Sequence, residues 1–267
     1  MKKFLPAILI SIICLSGCST EREDEPLPKP MEERTLLTKI TTKDYRYFSN
    51  SPLITVTKFS YNDHRQLTEI NSEAERTVFE YENSGKPVKS LYYKPDGTYI
   101  YTKIYVYEGD RLTKINSVYE DASQNSTVTY TYNASGQMVG IKQCKNQNCS
   151  SPTTFTYTYI NKNVATAVSQ TTSPSPSTTT RKYTFDDKKN PYSSLNTYIR
   201  IMLGSSLSLN ENNYDSQEVL VNYGTYGVFN YYIYNSQYNS ENYPTFTSVV
   251  GANATREVEY LYEYSIK

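Results

Sequence analysis

A short aromatic phrase recurs along this chain, and its spacing constrains the fold more than any other feature. It reads aromatic-x-Tyr, then a polar turn, then an aliphatic pair. The copies are Phe59-Ser60-Tyr61, Phe79-Glu80-Tyr81, Tyr105-Val106-Tyr107, Tyr130-Thr131-Tyr132, Tyr157-Thr158-Tyr159 and Tyr183-Thr184-Phe185. Their last aromatic residues fall at 61, 81, 107, 132, 159 and 185, in steps of 20, 26, 25, 27 and 26. A self-similar period of this size marks stacked supersecondary units, each too small to bury its own apolar face.

Each unit reads as a hairpin. In Thr127–Tyr132 and Thr154–Tyr159 the residues alternate with period two, so Val128, Tyr130 and Tyr132, or Phe155, Tyr157 and Tyr159, share one face and the threonines the other. The aromatic face is the packed one and the threonine face the wet one. Asn83-Ser84-Gly85, Glu108-Gly109-Asp110 and Asn133-Ala134-Ser135-Gly136 follow the aromatic strand and supply the positive φ of tight turns. Return strands follow: Leu67–Ile70, Val88–Leu91, Leu112–Ile115 and Met138–Ile141. Leu112 and Ile115 are three residues apart, which requires either a bulge or two partly covered faces.

The phrase breaks after Asp187. Leu195, Tyr198, Ile199, Met202 and Leu203 then fall on one helical face, with Pro191 suited to the first turn and Gly204 to the C-terminal cap, which predicts one short helix near 191–203. Strands resume at Gln217–Tyr223, Gly227–Tyr234, Tyr243–Val250 and Arg256–Ile266. The expected fold is all-β: an antiparallel meander of about sixteen strands that curls into an open or partly closed barrel, with the helix as a plug over one end or face.

The N-terminus has its own logic. Lys2 and Lys3 precede an apolar run from Phe4 to Leu15 that suits a secretory signal and is too short to span a bilayer. It ends in Leu15-Ser16-Gly17-Cys18, the form of a bacterial lipobox, which assigns residues 1–17 to a lipoprotein signal peptide and Cys18 to lipidation. Residues 18–33 form an acidic, Pro-rich tether; its Glu21, Glu23, Asp24 and Glu25 read as a solvated spacer, and as an acidic cluster just after the lipidated cysteine they also resemble the surface-export signal of Bacteroidota lipoproteins, which implies an export address. Residues 34–267 form a single β-meander domain, with repeats over 52–187 and the helix and terminal strands over 190–267. Removing 1–17 takes Lys2 and Lys3 from 27 basic residues, leaving 25 against 27 acidic. A net charge of −2 with no basic stripe excludes nucleic acid as a partner and leaves membrane attachment to the lipid anchor. Cys144 and Cys149 suit a disulfide in an exported protein, worth roughly 2 kcal/mol for so short a loop; two free thiols are the alternative.

Phe79–Val88 and Tyr130–Val139 are similar to Rhs/YD repeats, in which an aromatic-x-Tyr-Asp strand turns at glycine into a Leu-Thr-x-Ile strand. Here Asn62, Glu82, Glu108, Asn133 or Ile160 replaces the Asp. With the lipobox, the chain more closely resembles a group of Bacteroidota lipoproteins of unknown function with half-closed or porin-like β-meanders. Tyr183–Tyr192 looks like their signature before the helix, and Tyr234–Ser236 through Asn242–Thr245 like their penultimate hairpin. The resemblance implies fold and location, and carries no catalytic residues.

The residues themselves offer little chemistry. His64, the only histidine, lies in the turn Asn62-Asp63-His64-Arg65, so no metal site or cofactor is expected. There is no phosphate loop, nucleophile elbow or Cys/His pair, and Asp186/Asp187 sits at a turn. The 29 tyrosines are the one population suited to recognition, most of them as core. Tyr231, Tyr232 and Tyr234, with Tyr92 and Tyr93, are the candidate binding residues, because adjacent tyrosines in one strand point to opposite faces and part of the cluster must be exposed. The reading is a non-enzymatic, lipid-anchored outer-membrane protein, surface-exposed or periplasm-facing, that binds or scaffolds a glycan or envelope protein. An integral or lipid-carrying porin-like barrel is the alternative, and a surface hydrolase ranks below both.

Overall fold

The computed structural model describes residues 34–46, 51–146, 148–172 and 175–267. The signal segment, Cys18 and the tether lie outside the described residues. The strands are β1 (Thr35–Asp44), β2 (Leu53–Tyr61), β3 (Leu67–Ser72), β4 (Arg76–Tyr81), β5 (Pro87–Tyr93), β6 (Tyr99–Glu108), β7 (Arg111–Tyr119), β8 (Ser126–Tyr132), β9 (Met138–Cys144), β10 (Thr153–Ile160), β11 (Asn163–Thr171), β12 (Ser177–Lys189), β13 (Asn212–Tyr223), β14 (Tyr226–Tyr238), β15 (Pro244–Gly251) and β16 (Arg256–Ile266). Each pairs antiparallel with the next, and β16 pairs with β1, so the meander closes completely into a sixteen-stranded barrel.

A bulge resolves the Leu-x-x-Ile spacing. Val106 faces Lys114 and Tyr107 faces Leu112, which leaves Thr113 as the extra residue and returns Leu112 and Ile115 to the same buried face. The same slip follows the phrase in every hairpin, with Thr68, Val88, Val139, Ala165, Asp215 and Thr245 as the extra residues. Where that residue is Thr, its hydroxyl donates across the hairpin: Thr68 to Ser60 O (3.1 Å), Thr113 to Val106 O (3.3 Å) and Thr245 to Gln237 O (3.3 Å).

The closing seam repeats the device. Tyr262-Glu263-Tyr264 supplies the aromatic phrase and Leu37-Thr38-Lys39-Ile40 the return strand, with Thr38 as the extra residue and its hydroxyl 3.0 Å from Glu263 O. The backbones of Arg34 and Lys267 bond to each other in both directions beyond it. β16 and β1 therefore form a hairpin without a turn, and no strand edge remains open to other chains.

The second aromatic of the phrase has a distinct role. Its hydroxyl donates to the backbone of the preceding hairpin: Tyr61 to Leu37 O, Tyr81 to Leu67 O, Tyr107 to Pro87 O, Tyr132 to Leu112 O, Tyr159 to Met138 O and Tyr264 to Pro244 O, all at 2.6–2.8 Å. The first aromatic instead packs in the core: Phe59, Phe79, Tyr105, Tyr130, Tyr157 and Tyr183 are all buried.

The single helix expected over 191–203 is broken into pieces. A 3₁₀ turn spans Pro191–Ser194, helix α1 spans Thr197–Leu203 and helix α2 spans Ser206–Leu209. Leu195 is extended, and the Asn196 side chain caps α1 by accepting from Tyr198 N, so a local side-chain bond restarts the helix. Gly204 closes α1 at φ 65°, in the left-handed region that glycine favours. Leu203, placed on the apolar face by its spacing, is exposed, whereas Ile201 is buried. The cause is that α1 is covered on more than one side. Leu195 and Ile199 pack with Leu37, Ile40, Phe59 and Tyr262; Ile201 packs with Tyr105, Leu112, Tyr130 and Tyr214. The segment between β12 and β13 thus crosses the barrel interior as a plug.

Candidate functional site: the plugged lumen

A ring of sixteen strands encloses more space than its own side chains fill, the size at which porin barrels keep a channel. The plug takes up that space at the end carrying the tight turns. Its anchor is a polar knot. The Arg200 guanidinium donates to the carbonyls of Ser208 (2.7 Å), Leu209 (2.9 Å) and Asn210 (2.6 Å), satisfying the last carbonyls of α2. Asn163 Oδ1 accepts from the backbones of Glu211 and Asn212, and Asn210 Oδ1 accepts from Val164 N at 2.6 Å. Asn190, fully buried, donates its amide to Leu207 O.

Between the Gly204–Leu207 corner of the plug and the inner wall of β10–β16 lies a cavity of about 360 Å³. Its wall carries Tyr157, Tyr183, Tyr214, Tyr234, Tyr260 and Tyr262, with Arg181, Asn213, Gln217 and Thr247 among them. Tyr183 stacks on Tyr214 with ring centres 4.5 Å apart, and Tyr234 meets Tyr214 edge-on at 5.5 Å. The Tyr234 hydroxyl donates to Gln217 Oε1 at 2.8 Å. Burial pushes the phenols of Tyr157, Tyr183, Tyr214 and Tyr234 above their usual range, so at neutral pH they are uncharged donors. A second cavity of about 280 Å³ shares Arg181, Gln217, Tyr234 and Tyr260 with the first and extends to Arg46 and Glu257.

The residues singled out from sequence divide between two surfaces. Tyr232 and Tyr234 face the lumen and line these cavities. Tyr92 is not an exposed binding residue: it is buried in the wall, stacked on Tyr101 at 4.3 Å. By alternation Tyr231 and Tyr93 point outward, where Tyr93 lies under the Arg76 guanidinium. β5 and β14 are seven strands apart around the ring, so these five tyrosines do not form one patch. The most exposed aromatics among the described residues are instead Tyr223, Tyr226 and Phe229, at 52%, 65% and 61% exposure on the β13–β14 hairpin, with Tyr99 of β6 exposed as well. Arg181, Tyr214 and Gln217 were missed as site residues. Arg181 stands two residues before the buried Tyr183, and that parity was the available signal.

The other candidates are placed plainly. Cys144 and Cys149 are joined by a disulfide in the β9–β10 loop. His64 is exposed in its turn. Asp186 accepts a hydrogen bond from the Tyr238 hydroxyl, and burial raises its carboxyl above the usual range; Asp187 pairs with Lys188 at 3.1 Å. Among the described residues no cluster of His, Cys, Asp and Glu is arranged to hold a metal.

The barrel exterior mixes polar rows with exposed apolar side chains such as Ile104, Val106, Val118, Leu220, Ile233 and Leu261. Thr127, Thr129 and Thr131 on β8, and Thr154, Thr156 and Thr158 on β10, alternate with the inward aromatic residues. Ion pairs cross the outer face between strands: Lys39 with Glu263 at 2.7 Å, Lys89 with Glu80 at 3.0 Å and Lys43 with Glu259 at 3.7 Å. Among the described residues no helix is long and apolar enough to cross a membrane, which says nothing of strands.

No protein-family model matches the chain. No curated protein matches it either. Solved structures do. A porin-like protein from Bacteroides uniformis ATCC 8492 superposes with a TM-score of 0.54 at 14% identity, over 86% of this chain and 96% of that one. A porin-like protein from Bacteroides vulgatus ATCC 8482 gives 0.49 at 11% identity, over 87% and 99%. At such identity the first likeness speaks to fold alone, and the second, with its lower score, carries no argument. The chain therefore shares its fold with a porin-like protein of Bacteroides.

Proposed function

We propose that this protein is an outer-membrane-associated, porin-like barrel that works as a sealed binding chamber, which joins the lipid-anchored binding role of the main sequence reading to the porin-like barrel of its alternative, without the membrane insertion of that alternative. The observation that carries this is the plug. α1 is packed from two sides, Arg200 ties it to the end of α2, and Asn163 and Val164 of β11 tie the segment to the wall, with the tyrosine-lined cavity behind it. A barrel stoppered in this way holds a solute and does not pass it. Among the described residues no acid–base or nucleophilic arrangement faces the cavity, and the activity is read as binding without catalysis.

The exterior supports a barrel that stands in water beside the bilayer. Charged side chains facing lipid near the midplane cost about 2–4 kcal/mol each, and here Lys39, Glu263, Lys89 and Glu80 lie on the outer face as pairs. Lipid on Cys18 then provides the attachment, and the acidic residues Glu21–Glu25 the export address. The chain from residue 19, produced without the lipid site, tests this reading. It should be a soluble, folded monomer without detergent and should produce no conductance steps in planar bilayers. A requirement for detergent, or stepwise conductance, would overturn it.

A further inference from the structure

The chamber's polar groups are specific enough to assign a ligand class; the inference rests on the sealed-chamber reading above. Arg181 is the key. It lies on the inner face of β12, half-buried, between Ala167 of β11 and Val219 of β13. Among the described residues its guanidinium makes no hydrogen bond and no ion pair. No Asp or Glu lines the main cavity. Glu257 lines the adjoining cavity with Arg181 but makes no ion pair with it, and Asp44 is paired with Arg46. An arginine enclosed by tyrosines, with five donors and no acceptor, is a site for an oxyanion, and its planar fork matches a carboxylate.

A second observation points the same way. The Tyr214 side chain is only 4% exposed and lines the cavity. Its hydroxyl lies near Tyr183 and Ser206 yet completes a hydrogen bond with neither. A buried hydroxyl without a partner is costly, so a native fold that keeps one in a cavity wall implies a partner from outside the chain. Around these two groups stand tyrosine faces, Tyr157, Tyr183 and Tyr234, that suit a flat or puckered ring. A cavity of about 360 Å³ sits at the low end of ligand-pocket volumes, about 300–1,000 Å³.

We propose that the lumen binds a small ring-bearing carboxylate, its ring packed among the tyrosines, its carboxylate held by Arg181 and a ring hydroxyl or carboxylate oxygen taken by Tyr214. The ligand class covers uronic acids and cyclic or aromatic acids of one ring. A neutral sugar satisfies the tyrosines and leaves the arginine unpaired. Acetate satisfies the arginine and leaves the rings empty.

The test uses the chain from residue 19, whose barrel is closed by its own termini, and reads binding by calorimetry and by tyrosine fluorescence, undisturbed by tryptophan. Glucuronate, galacturonate, benzoate and cyclohexanecarboxylate form one arm; glucose, galactose and acetate form the other. At least one ring carboxylate should bind about tenfold or more tighter than both the neutral sugars and acetate, the margin of one charge-assisted contact. Arg181→Gln should erase that margin, and Arg181→Lys should restore part of it, both with an unchanged circular dichroism spectrum. Binding of neutral sugars as tight as that of ring carboxylates, or a preference unaffected by Arg181→Gln, overturns the assignment. So does failure of all four ring carboxylates to bind; the sealed-barrel reading then still stands on its own solubility and conductance results. Conductance, conversely, removes that reading whatever the titration shows.

Discussion

Changing Tyr132 to Phe isolates what the last hydroxyl of the phrase contributes. The Tyr132 hydroxyl donates to Leu112 O at 2.6 Å, and Leu112 is fully buried, so the carbonyl has no access to water once the donor is gone. An intramolecular hydrogen bond contributes about 0.5–1.5 kcal/mol net, and a buried acceptor left bare costs about 1–3 kcal/mol. The expected loss is about 2 kcal/mol. For a barrel of this size each kcal/mol moves the melting temperature by about 2–4 °C, so Tyr132→Phe should melt about 4–8 °C lower. The control lies two residues away on the same strand and face. Tyr130 is the more deeply buried of the two, yet its hydroxyl makes no hydrogen bond among the described residues. Tyr130→Phe deletes the same atom and should shift melting by no more than about 2 °C. Thermal unfolding by circular dichroism, with urea midpoints as a second measure, checks both. Equal shifts in the two variants would refute the idea that the second aromatic clamps one hairpin to the next.

Three further outcomes follow from the same interior. Burial raises Tyr132, Tyr159, Tyr192 and Tyr238 to about 12, against 10.0 for an unburied phenol; below pH 10 both folded and unfolded chains keep these protons, above it the unfolded chain loses them first, so urea midpoints should hold from pH 8 to 10 and fall steeply from 10 to 12. A flat profile across that window would contradict it. Arg200→Met removes the donor to three carbonyls at the end of α2 and should cost about 2–4 kcal/mol, with amide exchange speeding up over 197–210 more than in the strands; uniform acceleration would show that the plug and wall open as one. A permuted chain that joins Lys267 to Arg34 through a four-residue turn like Asn133–Gly136, opened between Asp96 and Gly97, should still unfold in one cooperative transition, because the seam already has hairpin register; loss of the cooperative transition would count against the seam as a hairpin.

The hairpins were legible because period-two alternation and turn residues act locally. The bulge was not, since a Leu-x-x-Ile spacing fits either a slipped strand or a sheet covered on both faces, and only the partner's register separates them. Closure was harder still: Leu37–Ile40 and Tyr262–Tyr264 are halves of one unit that stand at opposite ends of the domain, so no window along the chain contains both. The β14–β15 hairpin was placed, but its copy of the phrase hid for a chemical reason. Ser236 stands where the first aromatic belongs, and the Tyr238 hydroxyl bonds to the Asp186 carboxylate in place of a backbone carbonyl. In the site, Tyr232 and Tyr234 were visible as tyrosines. Arg181 was not, because adjacent Arg181 and Lys182 look alike until the strand's inner face is known.

The position of the plug also has a physical reason. Six of the eight hairpins are tied to the one before by a tyrosine hydroxyl, and by that pattern the residue at 185 would reach Val164, which lies opposite Tyr159. Phe185 has no hydroxyl to do so. At this one hairpin the turn is replaced by the 190–211 insertion, whose Asn210 accepts from Val164 N and whose flanking residues bond to Asn163. The insertion therefore supplies the missing tie from inside the lumen. It also brings Gly204–Leu207 against the inner wall, and the cavity beside Arg181 exists only because that corner turns there. The hydroxyl absent from the phrase at Phe185 and the chamber behind the plug thus meet at the one hairpin whose turn is replaced.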